Sequence, residues 1–176
     1  MIWNIKRCRK VRDREMIREA TKQDIDALLS IYNQAVLHTT ATYDIKPKTK
    51  QEMEEVFFSH TGKYIFLVEE EEERILGYAS LSRYREREAF KNTVEDSVYV
   101  DEACRNKGVG KRLMKAILDF AQKRDDIHTI VALITAENEA SIHLHEKYGF
   151  SLCGKIKDAG EKFGGYRDLS IYQILL

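Results

Sequence analysis

Between Tyr99 and Leu113 the chain passes abruptly from a β-rich run into an amphipathic one through Arg105-Asn106-Lys107-Gly108-Val109-Gly110. Glycines at 108 and 110 let the backbone turn tightly and approach a ligand closely. A helix starting there points unpaired N–H groups and its positive dipole end at whatever lies in the loop. Such a turn suits a pyrophosphate, and Arg105, Lys107, Lys111 and Arg112 add positive charge. The same six residues also suit a plain turn capping a surface helix. Other phosphate motifs fit less well: GxxxxGK[ST] is absent, and a dinucleotide fingerprint needs a third glycine where the chain has Lys111-Arg112-Leu113.

At 176 residues, 43% of them hydrophobic, the chain is one domain with material for a real core. Its 29 basic and 29 acidic residues balance, which argues against a wholesale nucleic-acid or membrane binder. No apolar run approaches the ~18 residues a bilayer span needs. Cys8, Cys104 and Cys153 form no CxxC pair, which suits a reducing cytosol and points to a cytoplasmic protein without disulfides. His143 and His145 face different ways on a helix, and no other pair has ligand spacing, so no metal is expected. Residues 1–15 are locally basic (Lys6, Arg7, Arg9, Lys10, Arg12, Arg14) and are expected to be a disordered extension. A nucleic-acid tail is the rival reading. Met16-Ile17-Arg18-Glu19-Ala20 reads as the domain's first strand and the natural start of translation, giving a domain over 16–176.

The pattern alternates from there. Thr21 and Asp24 cap a helix carrying Ile25, Leu28, Leu29, Tyr32 and Val36; residues 38–46 are irregular; Pro47 and Thr49 open a second helix to Ser59. Strands are predicted at 64–68, 75–84, 93–100, 128–135, 150–157 and 166–175, and helices at 109–124 and 139–148. The run Glu69–Glu73 is expected to be a solvated hairpin loop, since alternating side chains do not converge on one ion. Gly149 sits at a left-handed helix stop. The class is mixed α/β in one domain.

Two segments in order carry a family resemblance. Arg105 to Gly110 matches [Q/R]-x-x-G-x-[G/A], and Asn138-x-x-Ser141-x-x-Leu144-His145-x-x-x-Gly149-Phe150 matches a second motif of the GNAT superfamily of N-acetyltransferases, with room between them for one helix and one strand. Arg87-x-x-Phe90, Thr93 to Val100, Leu144-His145-Glu146 and Gly160-x-Lys162-x-Gly164-x-Tyr166-x-Asp168 resemble the phosphinothricin and methionine sulfone acetyltransferases within it. The resemblance implies a GNAT fold: a mostly antiparallel sheet of about six to seven strands with a V-shaped splay, flanked by about four helices. It also implies acetyl-CoA as cosubstrate, a small-molecule amine as acceptor, and a homodimer.

The site residues follow from the same resemblance. The pantetheine is expected on the backbone of Ser97, Val98, Tyr99 and Val100, and the pyrophosphate on Arg105, Asn106, Lys107, Gly108, Val109, Gly110 and Lys111. Asn138 and Ser141 share a helix face with His145 and are expected to meet the cofactor, although Asn138 equally suits an N-cap. Glu95 takes the general-base position on a strand where Glu95, Ser97 and Tyr99 point to one face and Val94, Asp96 and Val98 to the other. The backbone N–H of Val98 or a neighbour is the expected oxyanion partner. His145 stands where the superfamily often has tyrosine; it either relays a proton or is a structural histidine on a carbonyl. Arg87 is expected to meet an anionic substrate, with Arg85 and Arg83 as neighbours and Phe90 and Tyr43 lining the pocket. Phe90 replaces a tyrosine, which puts phosphinothricin itself in question. A protein N-terminus or polyamine acetyltransferase, or a silent CoA-binding module, are the alternatives.

Overall fold

The computed structural model describes residues 16–176; the basic extension at 1–15 lies outside the described residues. In chain order the elements are β1 (Met16–Glu19), α1 (Ile25–His38), α2 (Lys50–Ser59), β2 (Ile65–Glu71), β3 (Arg74–Arg83), β4 (Thr93–Val100), α3 (Val109–Ala121), β5 (Thr129–Thr135), α4 (Glu139–Lys147), β6 (Ser151–Lys162) and β7 (Gly165–Leu175). The strands form one sheet in the order β1-β2-β3-β4-β5-β7-β6. Every neighbouring pair is antiparallel except β4 and β5. This is the mixed α/β architecture that the sequence pattern implies.

Helix starts obey local chemistry. Thr49 and Glu52 form a reciprocal capping box at α2, the Thr49 N–H donating to Glu52 Oε2 at 2.7 Å. Thr21 and Asp24 do the same one turn earlier than α1, around a short 3-10 turn at Lys22–Asp24. The two sheet faces follow strand alternation. Ile65, Leu67, Ala79, Leu81, Val94 and Ile130 meet α3 residues Leu113, Met114 and Ile117. Phe66, Val68 and Tyr78 face α1 and α2, against Leu28, Ile31 and Met53.

One expectation fails here. Glu69, Glu70 and Glu71 belong to β2, and only Glu72 and Glu73, both at positive φ, make the turn. Glu69 is wholly buried, because strand alternation puts it on the face of Ile65 and Leu67, beneath Arg112 of α3. An ion partner on the covering helix admits a carboxylate that composition alone assigned to solvent.

Candidate active site

β4 and β5 stay paired only through Thr93, Val94 and Glu95, opposite Thr129, Ile130 and Val131. Beyond Glu95, β4 continues with β3 alone to Val100, while β5 pairs with β7. Parallel neighbours that diverge leave one row of β4 backbone groups without a strand partner. Buried amides require partners, so this edge is built to receive polar groups from elsewhere. A cavity of about 1350 Å³ occupies the splay.

One end of the cavity is the glycine turn. Asn106 (φ 63°) and Gly108 (φ 84°) both adopt the left-handed region, and α3 begins at Val109. The Lys111 and Arg112 N–H groups close the first helical turn on the Gly108 carbonyl. Arg105, Asn106, Gly108, Val109, Gly110 and Lys111 line the cavity, as do Ser97, Val98, Tyr99 and Val100; Lys107 is not among the lining residues. From the other wall α4 presents Asn138, Ser141 and His145. Asn138 is also the N-cap, its Oδ1 accepting the Ser141 N–H at 3.2 Å, so the two readings of this residue are compatible. The residues present fit a pyrophosphate and a chain of amides: helix N–H groups at one end, an unpaired strand edge beyond.

Glu95 lines the cavity at the point where the strands part. Burial, and secondarily the neighbouring Asp96 charge, push its pKa up to about 7, against a small opposing pull from Arg85. A carboxylate so placed can accept a proton near neutrality. Asp96 points to the opposite face, where its Oδ2 lies 3.1 Å from His145 Nε2 and both side chains are buried. His145 Nδ1 lies 2.7 Å from the Ser141 carbonyl. Burial disfavours charge on this ring, but Asp96 and the Ser141 carbonyl outweigh it and hold its pKa above the ordinary value. Both ring nitrogens therefore have partners.

The remaining wall is the loop between α1 and α2. Thr40, Thr42, Tyr43 and Asp44 line the cavity. The Tyr43 hydroxyl donates to the Asp168 carbonyl at 3.1 Å, Lys162 Nζ to the Thr42 carbonyl at 2.7 Å, and the Thr135 hydroxyl to the Thr40 carbonyl. Lys162 is nearly inaccessible, and burial lowers its pKa against the opposing pull of Asp44. Three anchors thus fasten this loop to β5 and the β6–β7 hairpin. Arg85, Arg87 and Phe90 do not line the cavity: they occupy the exposed segment between β3 and β4, where Arg85 stacks over Tyr84 and Phe90 packs edge-on to the same ring.

Sequence reasoning missed Asp96, Lys162 and Glu69. Asp96 carried a signal, since strand parity puts it on the face of Val94 and Val98, where a charge needs a partner. Glu69 carried the same parity signal, on the face of Ile65 and Leu67, and Lys162 stood in the closing motif, but the partner of each is distant in sequence. Cys104 is buried and Cys153 exposed, and both are free thiols. Among the described residues no three potential ligands cluster to hold a metal, and no helix is long and apolar enough to cross a membrane.

A sheet parted beside a carboxylate, with a glycine turn and a helix N-terminus at the far end of the gap, is the architecture of an N-acetyltransferase family to which comparison with known proteins assigns the chain. The chain belongs to the GNAT family, whose acetyltransferase (GNAT) domain matches residues 17–171. It is 39% identical to an L-methionine sulfoximine/L-methionine sulfone acetyltransferase of Salmonella typhimurium, over 91% of this chain and 94% of the relative. Among solved structures, a phosphinothricin acetyltransferase from Sinorhizobium meliloti in complex with acetyl-CoA superposes with a TM-score of 0.88 at 33% identity, covering 92% of this chain and 88% of that one. A ribosomal-protein-alanine N-acetyltransferase from Brucella melitensis also gives 0.88, at 37% identity, over 92% and 99% of the two chains.

Proposed function

We propose that this enzyme acetylates the α-amino group of a small amino acid or analogue, of the methionine sulfone, methionine sulfoximine or phosphinothricin type, with acetyl-CoA as donor. The observation that carries this reading is the continuity of the crevice: one cavity joins the helix N-terminus at Gly108 to Glu95 along the free edge of β4. Acetyl-CoA supplies the activated acetyl thioester. The turn 105–110 and the first N–H groups of α3 hold its diphosphate, and the β4 edge from Ser97 to Val100 pairs with its amides.

Glu95 takes a proton from the acceptor's ammonium, leaving a neutral amine with a free electron pair. Its raised pKa matches this role, because at neutral pH an appreciable fraction is ionised and the carboxylate is basic enough to compete for the proton. His145 acts here as a positioning residue, tying α4 to β4 through Asp96, since both its nitrogens are engaged. The clamped loop with Tyr43 forms the acceptor wall; Arg85 and Arg87 stand outside the cavity, at the exposed segment, and meet an anionic group there. A homodimer belongs to the same reading: β6 is an edge strand that exposes Leu152 and Ile156.

The test is thiol release from acetyl-CoA with methionine sulfone, methionine sulfoximine, phosphinothricin, polyamines and an alanine-starting peptide as acceptors. Turnover with the amino-acid analogues and none with the peptide or polyamines is the expected result. Preference for the peptide would move the enzyme to the protein N-terminus class, and sedimentation as a monomer would remove the dimer.

A further inference from the structure

Arg112, which the sequence offers as one more cation for the diphosphate, is committed elsewhere. Its Nε and Nη2 donate to Glu69 Oε1 at 2.9 and 2.6 Å, and its Nη1 donates to the Lys107 carbonyl at 3.1 Å. Glu69 is wholly buried on β2, whereas a third of the Arg112 side chain is exposed. The guanidinium lies directly against the turn: a Cβ placed on Gly108 would come within 3.0 Å of Arg112 Nη1. Lys107 sits between the two left-handed residues of the turn, Asn106 and Gly108. A left-handed asparagine is a sparsely populated state that persists where its surroundings fix it. Arg112 supplies a side-chain bond to the carbonyl between them, and a charged donor makes that bond strong.

We propose that Arg112 and Glu69 are positioning residues for the cofactor: Glu69 fixes the guanidinium, and the guanidinium holds the Lys107 carbonyl so that the 105–110 turn keeps its anion-binding shape. This rests on the acetyl-CoA reading above and adds to it a brace behind the loop, reaching across the sheet from β2. The pair acts through backbone geometry and leaves the diphosphate to main-chain N–H groups and to the cations that line the cavity.

The two roles open to Arg112 predict opposite signs. Glu69→Gln keeps shape and removes the charge that fixes the guanidinium. With a brace, coenzyme A binding by the full chain, measured by titration calorimetry, weakens roughly tenfold, about the worth of one charge-assisted hydrogen bond. The KM for acetyl-CoA rises in parallel, while kcat at saturation stays within about twofold. Arg112→Lys keeps the positive charge but cannot span Glu69 and Lys107 together, so it weakens binding similarly. With Arg112 as a direct diphosphate cation, Glu69→Gln would instead leave affinity unchanged or improve it, and Arg112→Lys would bind like the parent; either result overturns the proposal. Melting curves separate loss of fold from loss of affinity, and if Glu69→Gln does not fold, Arg112→Lys decides. Parent protein that binds coenzyme A while both variants bind equally well removes the brace alone. Parent protein that fails to bind it removes the acetyl-CoA reading and the brace with it.

Discussion

Burial raises the proton affinity of Glu95 most, Asp96 adds to it and Arg85 opposes it, and the pH dependence of the enzyme follows from that balance. Its pKa of about 7 in the folded chain lies above the ordinary 4.5. If the carboxylate is the base, kcat/KM falls as pH drops through about 7, as the active form takes up one proton. Glu95→Gln should lower kcat by roughly 10²–10⁴-fold and abolish that limb, with acetyl-CoA affinity unchanged. Stability carries the matching sign: the folded state holds this proton more tightly, so the contribution is full below 4.5 and is lost as pH rises through about 7. Urea melts of Glu95→Gln should lack that loss. Asp96→Asn tests the neighbour. Removing its charge should shift the acid limb of activity to lower pH, and His145, left with burial but without its carboxylate, should titrate lower by histidine NMR. An unmoved limb would mean that burial alone sets Glu95.

The helix that follows the 105–110 turn is placed by a close approach to the sheet at Gly77 of β3. A Cβ there would lie 2.7 Å from the Tyr99 carbonyl, 3.1 Å from Val109 and 3.2 Å from Leu113. Gly77→Ala therefore pushes the β4 backbone at Tyr99 and the first turn of α3 away from β3, at a cost of about 1–3 kcal/mol. A lower melting temperature and weaker coenzyme A binding should appear together; Gly154→Ala on β6, where nothing lies within 4 Å, should change neither. Element by element, the sequence was informative where the signal is local. Thr49 with Glu52, Gly149 at φ 93° and the alternation in Thr93–Val100 each encode a feature within a few residues. The acidic run misleads because its composition points to solvent, while strand parity places Glu69 beside Ile65 and Leu67. Parity was the better guide.

At the scale of the whole molecule, what the sequence leaves unwritten is which strands stand side by side. The insertion of β7 between β5 and β6, and the parting of β4 from β5, depend on partners thirty or more residues apart. The clamp of the α1–α2 loop onto Lys162 and Asp168 is equally non-local. The same topology yields a prediction about the intact protein. The two halves of the sheet are joined by β4–β5 pairing over Thr93–Glu95 alone, so the far end of the splay is the place where a ligand can add cross-sheet bonds. Coenzyme A at a hundred times its Kd should stabilise the fold by about 2.7 kcal/mol if it binds only the folded chain. Hydrogen exchange should locate the effect. Amides of β4 that face β3 are already in a ladder and should change little, whereas those of Val98–Val100 that face the crevice should slow on binding, together with the first turn of α3. 3′-Phospho-ADP, which keeps the diphosphate but lacks the pantetheine amides, should protect α3 while leaving the β4 edge fast. Protection confined to the surface of β6 and β7, with β4 unaffected by saturating coenzyme A, would place the cofactor outside the splay and remove the geometric link between diphosphate and Glu95.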